Sequence, residues 1–290
     1  MVVVAVDVGG TKLAVATVRD DGTVLERHDT PTPTGPSAGA VWDALARLLD
    51  ALQFAGDAKA VGCGCGGPMT AGGATVSPLK IAGWRDFPLR DRLAAHCALP
   101  VVVDNDAKAL ALGEGRFGAA RGVDHFIGMV VSTGIGGGIV LDGRLLDGAA
   151  GNAGHIGHVI VEPDGRECAC GARGCVEAEA SGTAIAAITG SPAANADESM
   201  RVRCGTLVGR AIADVVTLLD LHLAVVAGSV ALGYGETFFA AAQAEIDARC
   251  RIAFTRGARV VPGALGADGP FVGAATLALP DGSANVTPRR

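Results

Sequence analysis

Met1 to Val18 read MVVVAVDVGGTKLAVATV. A β-branched run from Val2 to Val6 leads to a Gly9-Gly10 turn, and a second run follows from Leu13 to Val18. A polar turn at Asp20-Asp21-Gly22 feeds a third run, Thr23 to Arg27, so the chain opens as a β-meander entered through a glycine turn. The pattern returns at Phe126, with an apolar run to Val131, the turn STGIGGG at 132–138, and a strand from Ile139 to Leu141. Residue identity between the two units is weak, but the repeated order of strand, glycine turn and strand predicts two lobes of similar design.

Between and after these units, strands alternate with helices. Beyond the loop PTPTGPSAG at 31–39, Trp42, Leu45, Leu48, Leu49 and Leu52 fall at helical spacing. A strand is predicted near Ala60 to Cys63, a helix near Leu89 to Cys97, and a short buried strand from Val101 to Val103. The alanines and leucines of DNDAKALALGEGRFG favour a helix beginning near Asp106. Helices near Thr206 to Leu221 and Thr237 to Arg251 flank a strand at Ala224 to Ala227. Such alternation is that of an α/β protein.

The composition is that of a globular chain large enough for about two domains. Its 24 basic and 30 acidic side chains give a net charge of -6, which supplies no basic surface for nucleic acid. The amino terminus is broken by Asp7 and Lys12, lacks a signal-peptide start, and no run of about 18 apolar residues follows, so the reading is cytoplasmic with no membrane partner.

Two familiar phosphate devices are excluded. Gly62, Gly64 and Gly67 spell G-x-G-x-x-G, but Pro68 follows and no helix begins there; no P-loop string exists anywhere. A different device is offered by Asp7-Val8-Gly9-Gly10-Thr11-Lys12. Its glycines bring backbone N–H groups toward an anion, Thr11 and Lys12 add a hydroxyl and a charge, and Asp7 sits where a hydrated magnesium ion would bind. Read alone, the string also fits an ordinary hairpin with an exposed acid. Its echo, which includes Thr133 and Gly134, suggests two turns facing across a cleft and gripping a triphosphate. Asp106, where a strand meets a helix, reads either as a helix cap or, beside a cleft, as the base that takes a proton from an attacking hydroxyl.

His158 followed by CACGARGC sets three thiols, Cys168, Cys170 and Cys175, beside an imidazole. In a reducing compartment that is the closed tetrahedral set of structural zinc. Cys63 and Cys65 lack such a set and read as small buried residues.

Taken together, Asp7 to Lys12, Asp104 to Lys108, Ser132 to Gly138, Gly154 to His158, the cysteine cluster ending at Glu177, and Ala227 to Val230 resemble the ROK family in order and spacing. That family holds bacterial glucokinases, N-acetylhexosamine kinases and related repressors. The resemblance implies two ribonuclease-H-like lobes of the actin, hexokinase and heat-shock-70 ATPase superfamily around a cleft. It divides the chain into a smaller lobe at 1–115, with 275–290 as a candidate addition, and a larger lobe at 116–274 carrying the zinc loop and nucleotide site. It implies ATP and magnesium as well as zinc, a sugar acceptor, and a homo-oligomer.

By the same resemblance Asp106 is the catalytic base, Asn105 a sugar ligand, Gly67 part of the sugar-pocket loop and Glu177 an acid binding sugar hydroxyls. His158 both ligates zinc and reaches the sugar. Asp7, Gly9, Gly10, Thr11, Lys12, Thr133 and Gly134 take the phosphate and magnesium positions, and Gly228 the adenosine segment. The implied reaction is ATP-dependent phosphorylation of a hexose 6-hydroxyl, most simply that of glucose.

Where sugar kinases of the family read Gly-Glu-x-Gly-His, this chain reads Gly154-His155-Ile156-Gly157-His158, and Gly190 to Arg203 is shorter than the family pattern. The imidazole of His155 is larger than a carboxylate and donates as well as accepts. It is either tolerated in an enzyme for glucose or marks a changed substrate such as an N-acyl sugar or a cyclitol. Two rivals remain at this level. A repressor carries a helix-turn-helix ahead of the first strand, where this chain leaves no room; a catalytically dead sugar binder would not be expected to keep Asp106 and both turns.

Overall fold

The computed structural model describes residues 1–35, 37–53 and 57–280. Five strands form the first sheet: β1 (Val2–Val8), β2 (Lys12–Arg19), β3 (Val24–Pro31), β4 (Ala58–Cys65) and β5 (Val101–Asn105), in the order β3-β2-β1-β4-β5. β1 is covered on both faces, which is why its valines run without alternation, whereas the edge strand β3 alternates half-buried and exposed residues. The second sheet holds β6 (Phe126–Val131), β7 (Ile135–Leu141), β8 (Arg144–Leu145), β9 (Leu223–Ala227) and β10 (Arg259–Pro262), in the order β10-β9-β6-β7-β8.

Numbered within each sheet, both orders are 3-2-1-4-5. In both, strands 1 and 2 are antiparallel while 1 and 4, and 4 and 5, are parallel. The repeated strand, turn and strand of the sequence is therefore a repeated lobe.

Helices α1 (Ala38–Ala51) and α2 (Leu89–Cys97) cover one face of the first sheet, with Leu45, Leu49, Leu89 and Leu93 packed on Val4, Val6 and Val15. α4 (Val176–Ala180), α5 (Gly182–Thr189), α6 (Glu198–Leu219) and α7 (Ser229–Arg249) cover one face of the second. Two helices lie between the sheets. α3 (Asp106–Phe117) continues from the first sheet but lays Ala109, Ala111 and Leu112 on Phe126 and Val140 of the second. α8 (Gly269–Ala278) follows the second sheet but lays Phe271, Ala274 and Ala275 on Val3, Ala5, Ala14 and Ala16 of the first. The remainder of the expected C-terminal addition, 281–290, lies outside the described residues.

The structure corrects the expected extent of the second glycine turn. Only Ser132 to Gly134 turn, closed by the Ser132 N–H on the Gly134 carbonyl at 2.9 Å, while Ile135 to Gly138 belong to β7. Glycine is needed there because α3 presses on the sheet: a Cβ at Gly138 would stand 2.7 Å from the Lys108 Cα, and one at Gly128 2.7 Å from the Ala111 Cα. α6 and α7 also begin earlier than predicted. Asp197 caps α6 by accepting the Met200 N–H at 2.8 Å, and α7 starts directly after Gly228.

Candidate active site

The β1–β2 turn, the β5–α3 junction, the Ser132–Gly134 turn and the start of α7 meet around one cleft of about 690 Å³. Asp7, Gly9, Gly10, Thr11 and Lys12 line one wall, and Thr133, Gly134 and Gly228 the wall opposite. Asn105 and Asp106 form the floor, with Gly67, His155, His158 and Glu177 at the end beside them. Every expected sugar, phosphate and base residue is thus brought to a single cavity. The Thr11 and Thr133 hydroxyls, one from each lobe, stand 3.5 Å apart.

Asn105, and not Asp106, caps α3. Its Oδ1 accepts the N–H groups of Ala107 at 3.0 Å and Lys108 at 3.4 Å, so Asp106 becomes the first residue of the helix. This corrects the reading of Asp106 as a simple cap; one of its oxygens accepts the Ala107 N–H at 2.9 Å and the carboxyl borders the cleft. With Oδ1 engaged, Asn105 presents its Nδ2 donors, which lie 3.5 Å from where a Cβ at Gly67 would be.

Burial pushes the Asp106 carboxyl above the usual carboxylate range, against the opposing pull of the Ala107 N–H and the Lys80 ammonium. Asp7 is pushed up to about 7, chiefly by burial and then by the neighbouring Asp106 charge, while Lys12 opposes. Two acids crowded in this way suit a base beside a divalent cation, which would hold Asp7 ionised.

Glu177 projects from the first turn of α4, immediately after Cys175, and its Oε2 accepts the Ile135 N–H at 2.8 Å. The imidazoles of His155 and His158 stack with centroids 6.0 Å apart, and His155 Nε2 lies 3.2 Å from the Cβ position at Gly67, so a side chain at 67 would press on the ring and require it to give by a few tenths of an ångström. Burial is the main cause that pushes the His155 imidazole below its usual range.

Behind this wall His158, Cys168, Cys170 and Cys175 offer ligand atoms that all lie within 4.8 Å of one another, a cluster able to hold a metal ion. The Cys168 sulfur is 3.6 Å from His158 Nδ1, and the Cys170 and Cys175 sulfurs are 3.7 Å apart. A tetrahedral ion with bonds of about 2.3 Å spaces its ligand atoms about 3.8 Å apart, so the cluster fits one.

Sequence reasoning missed two lysines. Lys80, the one cation in the apolar string PLKIAGW at 78–84, reaches across the cleft and donates from Nζ to the Thr133 carbonyl at 2.8 Å. Lys108 is 1% exposed and joins Asp104 of β5, at 3.0 Å, to Asp147 of the loop leading to His155, at 2.8 Å. An isolated cation in an apolar loop was a readable signal for the first; helical spacing gave none for the second.

Residues 3–280 match the model of the ROK family. The chain belongs to the ROK family. An N-acetylmannosamine kinase of Citrobacter koseri is 39% identical over 251 residues, 81% of this chain and 86% of that protein. A glucokinase of Streptomyces coelicolor is 40% identical over 182 residues, 63% of this chain and 57% of that protein. Among solved structures, a ROK family glucokinase from Streptomyces griseus, in complex with glucose and AMPPNP, superposes with a TM-score of 0.85 at 32% identity, covering 96% of this chain and 99% of that one. This ROK protein has the fold of the actin and hexokinase ATPases and is a sugar kinase. No helix among the described residues is long and apolar enough to cross a membrane.

Proposed function

We propose that this kinase transfers the γ-phosphoryl group of ATP to the primary 6-hydroxyl of a hexose, with glucose as the simplest acceptor. The observation that carries the reading is the convergence of Asp106 with glycine turns from both lobes on one cleft. Asn105 and Glu177 orient the sugar. Asp106 accepts the proton of the attacking hydroxyl, and backbone N–H groups of the two turns stabilise the equatorial oxygens of the transferred group. Asp7 would hold a hydrated magnesium ion, which supplies charge neutralisation for the phosphates when bound. Closure of the lobe at 1–115, with 275–280 added to it, on the lobe at 116–274 excludes competing water.

The histidine and cysteine cluster would hold structural zinc. Its role is a brace: it ties the His158 turn to the start of α4 and so fixes the direction of Glu177. All eight cysteines are free thiols, in keeping with a cytoplasmic enzyme.

A second reading, an N-acylhexosamine acceptor, is favoured by His155. A neutral imidazole at the pocket wall both donates and accepts, as an amide substituent requires, where a carboxylate only accepts. A coupled ADP-release assay over glucose, mannose, N-acetylglucosamine and N-acetylmannosamine tests both readings. Asp106→Asn lowers turnover about 1,000-fold with the circular dichroism spectrum unchanged; undiminished turnover removes Asp106 as the base. Acceptance of glucose by His155→Glu alone selects the second reading, and equal glucose turnover by wild type and variant selects the first.

A further inference from the structure

Lys80 touches both glycine turns, and none of the roles above uses it. Its side chain crosses the first turn, with its Cβ 2.5 Å from where a Cβ at Gly10 would be. Its Nζ then reaches the second turn, donating to the Thr133 carbonyl at 2.8 Å. The position of a Cβ at Gly134 is 2.8 Å from this ammonium and 2.7 Å from Glu177 Oε2, so Lys80 and Glu177 crowd one point. Among the described residues no carboxylate oxygen pairs with Nζ inside 4.0 Å, so none of its three donors meets a charged acceptor and only one meets a carbonyl.

A single neutral carbonyl is a poor return for crowding an ammonium between cleft walls. Burial pushes the Lys80 pKa down, while the nearby Glu177 and Asp106 charges hold it up. An anion between the turns supplies the missing acceptors.

On the kinase reading above, we propose that Lys80 is a catalytic residue whose ammonium leaves the Thr133 carbonyl for the oxygens of the phosphoryl group in transit. In the step it serves, the acceptor hydroxyl oxygen forms a bond to the γ-phosphorus and yields its proton to Asp106. The bond from that phosphorus to the β,γ-bridging oxygen breaks, and ADP leaves with the electron pair. Lys80 keeps its proton throughout and offsets negative charge on the equatorial oxygens. As a small-lobe residue that touches the large lobe, it completes the site only when the cleft is closed.

The test compares wild type, Lys80→Met and Lys80→Arg. Steady-state kinetics give kcat and KM for the accepted hexose, and calorimetry gives the affinities for AMPPNP and ADP, each with magnesium. Lys80→Met lowers kcat about 100-fold with hexose KM within about threefold. It weakens AMPPNP about tenfold and leaves ADP unaffected, because the contact is to the terminal phosphoryl group; intact ADP binding also shows that the site is folded. Lys80→Arg restores part of the loss. An unchanged kcat, a raised hexose KM at constant kcat, or equal weakening of ADP and AMPPNP overturns the proposal. Failure of the kinase reading is separate: wild type would then release no ADP with any sugar, while the nucleotide arm still reports on Lys80.

Discussion

Replacing Lys108 with methionine removes a charge the fold has enclosed almost completely, while keeping the length and apolar character of the stem. Its Nζ contacts Asp104 Oδ2 at 3.0 Å, Asp147 Oδ1 at 2.8 Å and the Gly151 carbonyl at 3.3 Å. Asp147 is 69% exposed and returns to water at little cost, whereas Asp104, 20% exposed, is left without a counter-ion. Breaking such a pair costs about 3 kcal/mol, the low end for buried pairs because Asp104 still touches solvent. With a urea slope of about 3 kcal/mol per molar, the unfolding midpoint falls by about 1 M. Adding Asp104→Asn removes the stranded carboxyl, so the double variant is more stable than the sum of the single effects by about 1 kcal/mol.

The deficit also depends on pH. Burial raises the Asp104 pKa and Lys108 pulls it back, so loss of the lysine lets it rise further. A group whose folded pKa is raised contributes stability below its unfolded pKa and loses it as pH climbs through the folded value. The variant's deficit is therefore largest near neutrality and shrinks as the solution is acidified toward about pH 4. Urea titrations across this range, with hexose KM measured alongside, check the argument. A variant equal to wild type at neutral pH, or a deficit that does not change with pH, refutes it.

Glu114 is fully buried and accepts the N–H groups of Ala119 at 2.8 Å and of Ala264 and Leu265 at 3.1 Å each. Glu114→Gln turns an amide donor toward these donors and lowers stability by about 3 kcal/mol in urea melts. Gly138→Ala drives a methyl group against α3, costing about 2 kcal/mol and lowering kcat because Asp106 shifts with its helix; wild-type kcat in that variant contradicts the packing argument. On the proposed brace, removing metal from the cluster by chelation, or substituting Cys175→Ser, raises hexose KM more than it lowers kcat, since the ion would orient Glu177 and take no part in the transfer. Thermal melts with and without added zinc accompany those kinetics, and a melting temperature indifferent to zinc removes the brace.

The fold was legible where the physics is local. Apolar runs joined by glycine pairs mark the first hairpin of each lobe, and the cleft gathers the chemistry-bearing residues of both turns. Legibility ends where distant segments press together. Gly136 to Gly138 look like a turn because glycine serves positive φ and close approach alike, and only the position of α3 separates the two uses. Neighbouring Asn105 and Asp106 are both good caps, and the junction gives the cap to the first and the cleft to the second. Lys108 occupies an ordinary helical position until Asp147 folds over it, and Lys80 gains its setting only when the lobes meet.

The two central helices have exchanged places, and at their crossing Gly113 and Gly273 bring the backbones together, with a Cβ at Gly113 only 3.0 Å from the Gly273 Cα. A cut in the connection between α3 and β6 therefore yields no autonomous halves. Each fragment would carry off the cover of the other's sheet and leave its own alanine and valine underside wet, so neither folds alone, yet the mixed pair should reassemble. The same arrangement describes how two copies of a half-length chain would trade their last helices, which makes this chain, in architecture, a swapped dimer written as one polypeptide.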